Sequence, residues 1–511
     1  MSAPSPYRPP STRTAVLFAL LAAVAAALGT LVLVRADAGL TSRQVTVDGV
    51  PMTEVRAGPP TPGLRRPGVV IAHGFAGSGR LMRPIADTVA RQGAVALLFD
   101  FAGHGANPAR LTGAAGGTSH AALAADLDAA VGYLRARPDV DADGIVLVGH
   151  SMGAGAVTRY AAEHPEIVRT VAISLPDAGE LPPGRPAELL LIVGGAEFPG
   201  FRRAADDAVG RGAGVGRRSA VVVPGVEHIS VLFAPRTHEE IAAWLPDGDG
   251  TTRPRPTARL GGAALLLLAF GVGVVPLASL LLPRAPGRRP TEPPAPPETR
   301  SSIGGLSLLG LAVLAAGFGA VVAAVLPTTR IPLAVGGYVT GFLLVTSVLL
   351  IASHRWLPGL RGATDVAVDH RAPARTVVAT LGLTGYAVLA VALPIHLGLT
   401  SAVPVGARWW LLPLVVAACL LFLLSVELVT GGRTGRHLLV VAVTVAVLTA
   451  AAVVGVAPGF VLLVVPLFAV LLGWQTAWAA VLRRYAGPRW LPALAGAVLV
   501  GWPIATTLPL S

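Results

Sequence analysis

Gly149-His150-Ser151-Met152-Gly153 follows an apolar run, Ile145–Val148, and precedes an alanine-rich stretch. A serine flanked two residues away on both sides by glycine is the type and spacing that a nucleophile needs. A strand that turns sharply into a helix folds its backbone back on itself, and the flanking glycines let it do so without side-chain collision. Such a turn lifts the Ser151 hydroxyl clear of the sheet. It also leaves the backbone N–H of Met152 at a helix start, where it can receive the charge that develops on an attacked carbonyl oxygen. In a chain with 60 glycines the pentapeptide alone is a weak signal. The strand before it and the small-residue helix after it give it weight. A hydroxyl attacks only when a base takes its proton and an acid orients that base, so a histidine and a carboxylate must lie elsewhere in the chain.

The elements that would position such a group are legible between residues 41 and 249. Gln44–Val47 and Thr53–Arg56 read as short strands. Gly68–Ala72, Ala94–Phe99, Ile145–Val148, Thr170–Ser174, Glu188–Val193 and Ala220–Val223 read as buried ones. Between them, Leu81–Arg91, Thr118–Arg137, Ala154–Glu163, Phe201–Val209 and Glu239–Leu245 carry helical periodicity. Short Val/Ile/Leu runs alternating with helices predict an α/β fold, a doubly wound and mostly parallel sheet with helices on both faces. Sites of such sheets lie at the carboxyl ends of the strands. The polar motifs fall there: His73–Ser78 after one strand, Asp100–Gly105 after another, and Gly149–Gly153 after a third.

With these motifs in order, the stretch from about 44 to 247 resembles the α/β-hydrolase superfamily, in particular its serine esterases and dienelactone-hydrolase-like members. His73-Gly74-Phe75 looks like that family's oxyanion loop, Phe99–Gly105 like its loop after the fourth strand, and Gly149–Gly153 like its nucleophile elbow. The resemblance implies that the N–H of Phe75 is a second oxyanion donor beside that of Met152. It implies that the base is His228, in the loop after the last strand. The acid it implies is Glu197, after the penultimate strand, with Asp177 as the other candidate. His164 reads as a helix C-cap and His238 as the start of the last helix. His73, His104 and His150 read as residues that shape loops, and Asp100 as one that holds its own loop together. Asp206 and Asp207 fall on a solvated helix face. A serine triad of this kind calls for no metal and no cofactor.

The remainder of the chain belongs to a different solvent. Of the 511 residues 53% are hydrophobic and 13% charged, about half the charge of an ordinary soluble domain. All 40 basic residues are arginine. Outside the central region most of them lie between apolar runs, so the net charge of +12 speaks for membrane topology rather than for nucleic acid. Residues 1–14 form an N-terminal segment with Arg8 and Arg13, which places it in the cytoplasm. Residues 15–34 are long enough to cross a bilayer. Ala36-Asp37-Ala38 resembles a signal-peptidase site, but the length of the apolar core favours an uncleaved signal anchor. Residues 250–258 read as a linker. Residues 259–508 hold eight further apolar runs, at about 259–282, 303–326, 332–353, 376–397, 409–430, 437–457, 459–482 and 490–508.

The loops between these runs test the count. Those expected inside hold Arg284, Arg288, Arg289 and Arg300, then Arg355, Arg361, Arg371 and Arg375, then Arg433 and Arg436, then Arg483, Arg484 and Arg489. The short outer loops hold only Arg330 and Arg408. That alternation is a positive-inside pattern; Arg253, Arg255 and Arg259 go against it, but they follow a large exported domain. The 283–300 loop, rich in proline, reads as an extended linker. Glu427 and His396 lie near span ends and read as exposed at the interface. The lone Cys419 reads as a small buried hydrophobe.

The expectation is therefore a multi-pass protein of the plasma membrane with an extracytoplasmic serine hydrolase that acts on ester, thioester or amide bonds. Its substrate would be a small-molecule or lipid acyl compound, and its partner the bilayer. Two alternatives remain open: an envelope acyltransferase with the same triad, and a non-enzymatic membrane protein with a degenerate hydrolase-like binding domain.

Overall fold

In a computed structural model the described residues are 9–60, 63–111, 119–212, 216–246, 254–283, 304–356 and 373–511. They divide into two compact units. One comprises Met1–Ala27, Leu265–Leu393 and Arg408–Ala505; the other comprises Leu28–Ala264, Pro394–Ala407 and Thr506–Ser511.

The second unit carries an eight-stranded sheet. Its strands are β1 (Leu40–Val47), β2 (Val50–Ala57), β3 (Arg66–Ala72), β4 (Val95–Phe99), β5 (Val140–His150), β6 (Arg169–Ile173), β7 (Glu188–Gly194) and β8 (Arg217–Val223). The order across the sheet is β1-β2-β4-β3-β5-β6-β7-β8. β1 and β2 pair antiparallel as a hairpin, β2 pairs antiparallel with β4, and all other pairs are parallel. The fold class is the expected one. The hairpin is longer than expected because its register runs from Leu40↔Ala57 to Val47↔Val50. Its outer strand is polar and mostly exposed, so hydropathy undercounts it.

Period-two alternation distributes each strand between two cores. Val69 and Ile71 of β3, with Val146 and Val148 of β5, pack on one face with Ile85 and Val89 of α2 (Arg83–Arg91) and Ile241 of α6 (Pro235–Trp244). Val70 and Ala72, with Ile145 and Leu147, pack on the other face with Leu127 and Leu134 of α3 (Ser119–Arg135) and Val157 of α4 (Met152–Glu163). Burial on both faces is why these strands read as continuous apolar runs. A third cluster joins Leu189 and Leu191 of β7 to Ala205 and Ala208 of α5 (Pro199–Arg211). α6 starts at Pro235, so His238 lies one turn inside it rather than at its beginning. The Pro at its first turn needs no N–H partner, which explains the earlier start.

A ring of ion pairs closes this unit where the chain enters and leaves it. Arg83 reaches Asp37 at 3.1 Å and Asp87 at 2.6 Å, and Arg259 reaches the same two carboxylates at 2.6 and 2.7 Å. Arg259 opposes the positive-inside pattern because it is committed to this ring. Arg91 donates to the carbonyls of Ala36 and Ala38, the residues that flank Asp37.

Of the described helices, eight are long and apolar enough to cross a membrane. They are α1 (Thr12–Asp37), α7 (Ala258–Leu281), α8 (Gly305–Val325), α9 (Gly336–Trp356), α10 (Pro373–Gly398), α11 (Arg408–Thr430), α12 (Thr434–Val453) and α13 (Val461–Leu482). The ninth apolar run is the 17-residue helix α14 (Leu491–Thr507). These helices place large apolar side chains on their surfaces, among them Leu306, Leu314 and Val325 of α8, as segments solvated by lipid do. Glu427 is partly buried rather than exposed: it pairs with Arg483 and lies 3.5 Å from Nδ1 of His437, whose Nε2 donates to Gln475 Oε1 at 3.0 Å. Cys419 is buried. The first part of the linker expected at 250–258, residues 250–253, and most of the 283–300 loop lie outside the described residues, as do Arg8, Arg253, Arg284, Arg288, Arg289, Arg300, Arg361 and Arg371.

Candidate active site

Ser151 sits between the end of β5 and the start of α4, with φ 54° and ψ −117°. A non-glycine residue at positive φ is strained and persists only where its surroundings hold it. Here they do: its N–H donates to the Ile173 carbonyl at 2.9 Å, and its carbonyl accepts the Gly155 N–H at 3.0 Å. The two glycines of the motif answer to sterics. A Cβ on Gly149 would lie 2.3 Å from the Gly153 carbonyl oxygen. One on Gly153 would lie 2.5 Å from that of His73. Both atoms are backbone and cannot step aside, so β5, α4 and the His73 loop meet only because both positions are bare.

His228 Nε2 lies 3.0 Å from Ser151 Oγ. The imidazole comes from the loop after β8 and is buried. Glu227 shapes that loop by accepting the N–H groups of Ile229 and Ser230 at 2.9 and 2.7 Å. Burial works against the Glu227 charge, but these bonds outweigh it and hold the carboxyl below its usual range. Behind His228, the buried His150 donates from Nε2 to the His228 carbonyl at 2.9 Å. The rings of Phe201 and His150 lie against the imidazole, 4.6 and 4.8 Å away between centroids. Burial pushes His150 down to about 3, so it stays neutral and serves as scaffold.

On the other ring nitrogen, His228 Nδ1 is 3.7 Å from Glu197 Oε2. Glu197 lies on the turn after β7, with its side chain almost wholly enclosed. Its second oxygen, Oε1, accepts from the Ser174 hydroxyl at 2.6 Å and from the Gly194 N–H at 3.1 Å. The acid turn is stitched to the histidine loop: Gly195 N–H donates to the Val223 carbonyl and Ala196 N–H to that of Val226. Gly194 must be bare, since its Cβ would meet the Val226 oxygen at 2.6 Å. Asp177, the rival acid, is exposed and caps its own turn by accepting the Gly179 N–H. The geometry thus brings Ser151, His228 and Glu197 together and leaves Asp177 out. Ser174 and Phe201 were missed. The signal for Ser174 was its place at the carboxyl end of β6; an aromatic on α5 carries no comparable mark.

The loop after β3 approaches Ser151 at Gly74, where a Cβ would lie 3.1 Å from Ser151 Cβ and 2.8 Å from His150 Nδ1. Phe75 follows it directly, and Met152 opens α4, where no helical carbonyl precedes its N–H. His73 fixes this loop: its Nδ1 donates to the Gly74 carbonyl at 2.8 Å and its Nε2 accepts the Phe101 N–H at 3.1 Å. A proton on Nε2 would oppose that N–H, and burial already lowers the affinity of this imidazole for it. Asp100 accepts from Gly79 and Ala106, both at 2.7 Å, and so holds its own loop to the His73 loop. His104 donates to the Ala102 carbonyl. His164 is the C-cap of α4, and Asp206 and Asp207 are exposed. Among the described residues no group of three or more His, Cys, Asp or Glu side chains is placed to hold a metal ion.

Comparison with known proteins agrees with this fold. Residues 67–212 match the model of the alpha/beta hydrolase fold, a stretch that includes Ser151 and Glu197 and ends before His228. Two uncharacterized proteins of Mycobacterium tuberculosis, from strains CDC 1551 / Oshkosh and ATCC 25618 / H37Rv, are each 32% identical over 151 residues, which is 29% of this chain and 50% of theirs. The chain thus spans about half the length of the curated relatives it matches. Among solved structures, a dienelactone hydrolase from Anabaena variabilis is 24% identical, covering 40% of this chain and 97% of that one, with a TM-score of 0.33. A Pyrococcus furiosus esterase is 21% identical, covering 40% and 93%, with a TM-score of 0.32. Strand order, turn geometry and the matching model lead to one conclusion: the chain carries an α/β-hydrolase domain.

Proposed function

We propose that this protein is a membrane-anchored serine hydrolase that cleaves acyl bonds through Ser151, His228 and Glu197, on the outer side of the plasma membrane. The observation that carries this reading is the 3.0 Å contact between Ser151 Oγ and His228 Nε2, with Glu197 on the far ring nitrogen. His228 takes the serine proton as Oγ attacks the acyl carbonyl. Charge passes to the carbonyl oxygen, which the N–H groups of Met152 and Phe75 receive. His228 then returns the proton to the departing alcohol, thiol or amine, and water repeats the sequence to free Ser151. Glu197 faces a growing positive charge on the imidazole. Its 3.7 Å separation from Nδ1 shortens to a hydrogen bond as that charge develops, since catalytic contacts that are long at rest tighten in the reacting complex.

Sidedness draws support from counting helices. Four helices, α7–α10, separate the sheet from residues 394–407, and four more, α11–α14, separate these from residues 506–511. Both segments pack into the sheet-bearing unit. An even number of crossings returns each to the side where it started, which requires the short α14 to cross as well. Arg13 in the first turn of α1, and Arg433, Arg436, Arg483, Arg484 and Arg489 around the α11–α12 and α13–α14 junctions, which fall on the same side as the N-terminus by this count, favour a cytoplasmic N-terminus.

The test is labelling of whole cells with a membrane-impermeant fluorophosphonate. The wild-type protein is expected to be labelled from outside, and Ser151→Ala is expected not to be. Labelling only after permeabilisation overturns the sidedness; equal labelling of Ser151→Ala, or none of the wild type, overturns the nucleophile.

A further inference from the structure

The sheet-bearing unit is completed by two pieces from far along the chain, Pro394–Ala407 and Thr506–Ser511. The first meets the loop that carries Phe75. Ser78, three residues beyond Phe75, is buried. Its Oγ lies 2.8 Å from Thr400 Oγ1 and accepts the Ser401 N–H at 3.1 Å. Arg80, two residues further, donates to the His396 carbonyl at 3.3 Å. Between Phe75 and Ser78 stand only Ala76, held at φ 57°, and Gly77, whose N–H is bonded to the Gly74 carbonyl. So short and tight a turn transmits the position of Ser78 to Phe75. The second piece meets the neighbouring loop: Leu510 N–H donates to the Gly103 carbonyl at 2.8 Å and the Leu510 carbonyl accepts the Leu111 N–H at 2.9 Å. That loop is tied to the first through Phe101–His73 and Gly79–Asp100.

We propose that Ser78, held by Thr400 and Ser401, is a positioning residue for the oxyanion hole, so that the segment joining α10 to α11 forms part of the catalytic apparatus. This rests on the serine-hydrolase reading above. An oxyanion donor acts only when it is already aimed at the developing charge, and a displacement of about 1 Å can cost on the order of a hundredfold in rate. The Ser78 hydroxyl is buried and engaged by Thr400 and Ser401. It acts by fixing the loop, and its partners lie more than three hundred residues away.

Full-length protein in phosphatidylcholine nanodiscs, assayed on a nitrophenyl ester, tests this. Thr400→Val is expected to lower kcat ~10-fold with KM unchanged, and Thr400→Ser to keep the wild-type kcat. Ser78→Ala should match Thr400→Val, and the two changes together should cost no more than either alone. A wild-type kcat in Thr400→Val, or a loss confined to KM, overturns the proposal. Should Thr400→Val lose its melting transition, Ser78→Cys with Thr400→Cys decides. A disulfide that forms on oxidation and returns the rate lost by Ser78→Cys alone supports the clamp, and failure to cross-link overturns it. A wild-type protein that neither hydrolyses the ester nor takes the fluorophosphonate overturns the enzyme reading instead; the cross-link needs no activity and still reports on the contact.

Discussion

The sheet-bearing unit and the helical unit draw on the same alphabet of alanine, glycine, valine and leucine and place it in opposite ways. In β3, Val69, Val70, Ile71 and Ala72 are all 0% exposed. In α8, Leu306 is 84% exposed, Val325 79% and Leu314 73%. In water each such side chain would forgo roughly 1.5–3 kcal/mol of burial; in hydrocarbon it forgoes almost nothing, because lipid chains are as apolar as leucine. Glycine differs in the same way. Gly149 and Gly153 sit where a Cβ would strike backbone, whereas Gly310 of α8 has nothing within 4 Å of where its Cβ would be. In the sheet unit single atoms decide the outcome. In the helices, length and hydropathy do.

Substitutions sharpen that contrast. The largest effects should fall on the triad. His228→Ala should lower ester hydrolysis by ~10⁴-fold or more, and Glu197→Gln by ~10²–10⁴-fold, while Asp177→Asn leaves it unchanged. An active Glu197→Gln with an inactive Asp177→Asn would reverse the assignment of the acid. Next come the glycines. Gly153→Ala should abolish fluorophosphonate labelling and lower stability by about 1–3 kcal/mol through overpacking. Gly310→Ala should leave both unchanged, since alanine suits a helix better than glycine; a loss there would mean that the helical unit is as tightly specified as the turn. Then comes solvent: Leu314→Arg should cost about 3 kcal/mol of membrane insertion, read as glycosylation-tag topology or as yield in the membrane fraction. A neutral result would place that face of α8 in water.

The smallest effect is on stability against pH. His150 and His238 are pushed by burial to about 3 and about 4, from 6.5 in the unfolded chain, and His73 is lowered as well. Below pH 6.5 the unfolded chain therefore binds these protons first, and stability falls as the pH drops toward 4. Asp126 opposes this: burial raises it from 3.8 to about 6, against the Ala102 N–H it accepts. Its contribution weakens as the pH rises from about 4 to about 6. Three histidines against one carboxyl make acidification destabilising on balance. His238→Gln, which keeps partners for the Leu232 carbonyl and the Thr88 hydroxyl, should flatten the fall in melting temperature between pH 6.5 and 4. An unchanged slope would sink this account.

Much of the site could be read before any fold was known. Ser151 announced itself because a turn of that shape demands bare neighbours, and the demand is local. The strands around it were visible because burial on both faces leaves an unbroken apolar run. The family resemblance put Glu197 ahead of Asp177, but the residues themselves do not separate the two: both follow strands, and the pairing of β7 with β8 carries one carboxylate to the imidazole. Ser174 and Phe201 escaped notice because their roles lie in what they touch. His437 was passed over because a histidine inside an apolar run shows no partner until Glu427 and Gln475 stand beside it.

The order of residues by itself determined which stretches form strands, which are long enough to cross a bilayer, and where the backbone must be bare, since each of these follows from periodicity or turn chemistry within a few residues. Tertiary structure alone decided which acid meets His228, why Arg259 is kept between Asp37 and Asp87, and that residues 394–407 and 506–511 complete the unit that holds Ser151. Those contacts join positions up to several hundred residues apart, and no local pattern encodes a partner at that distance.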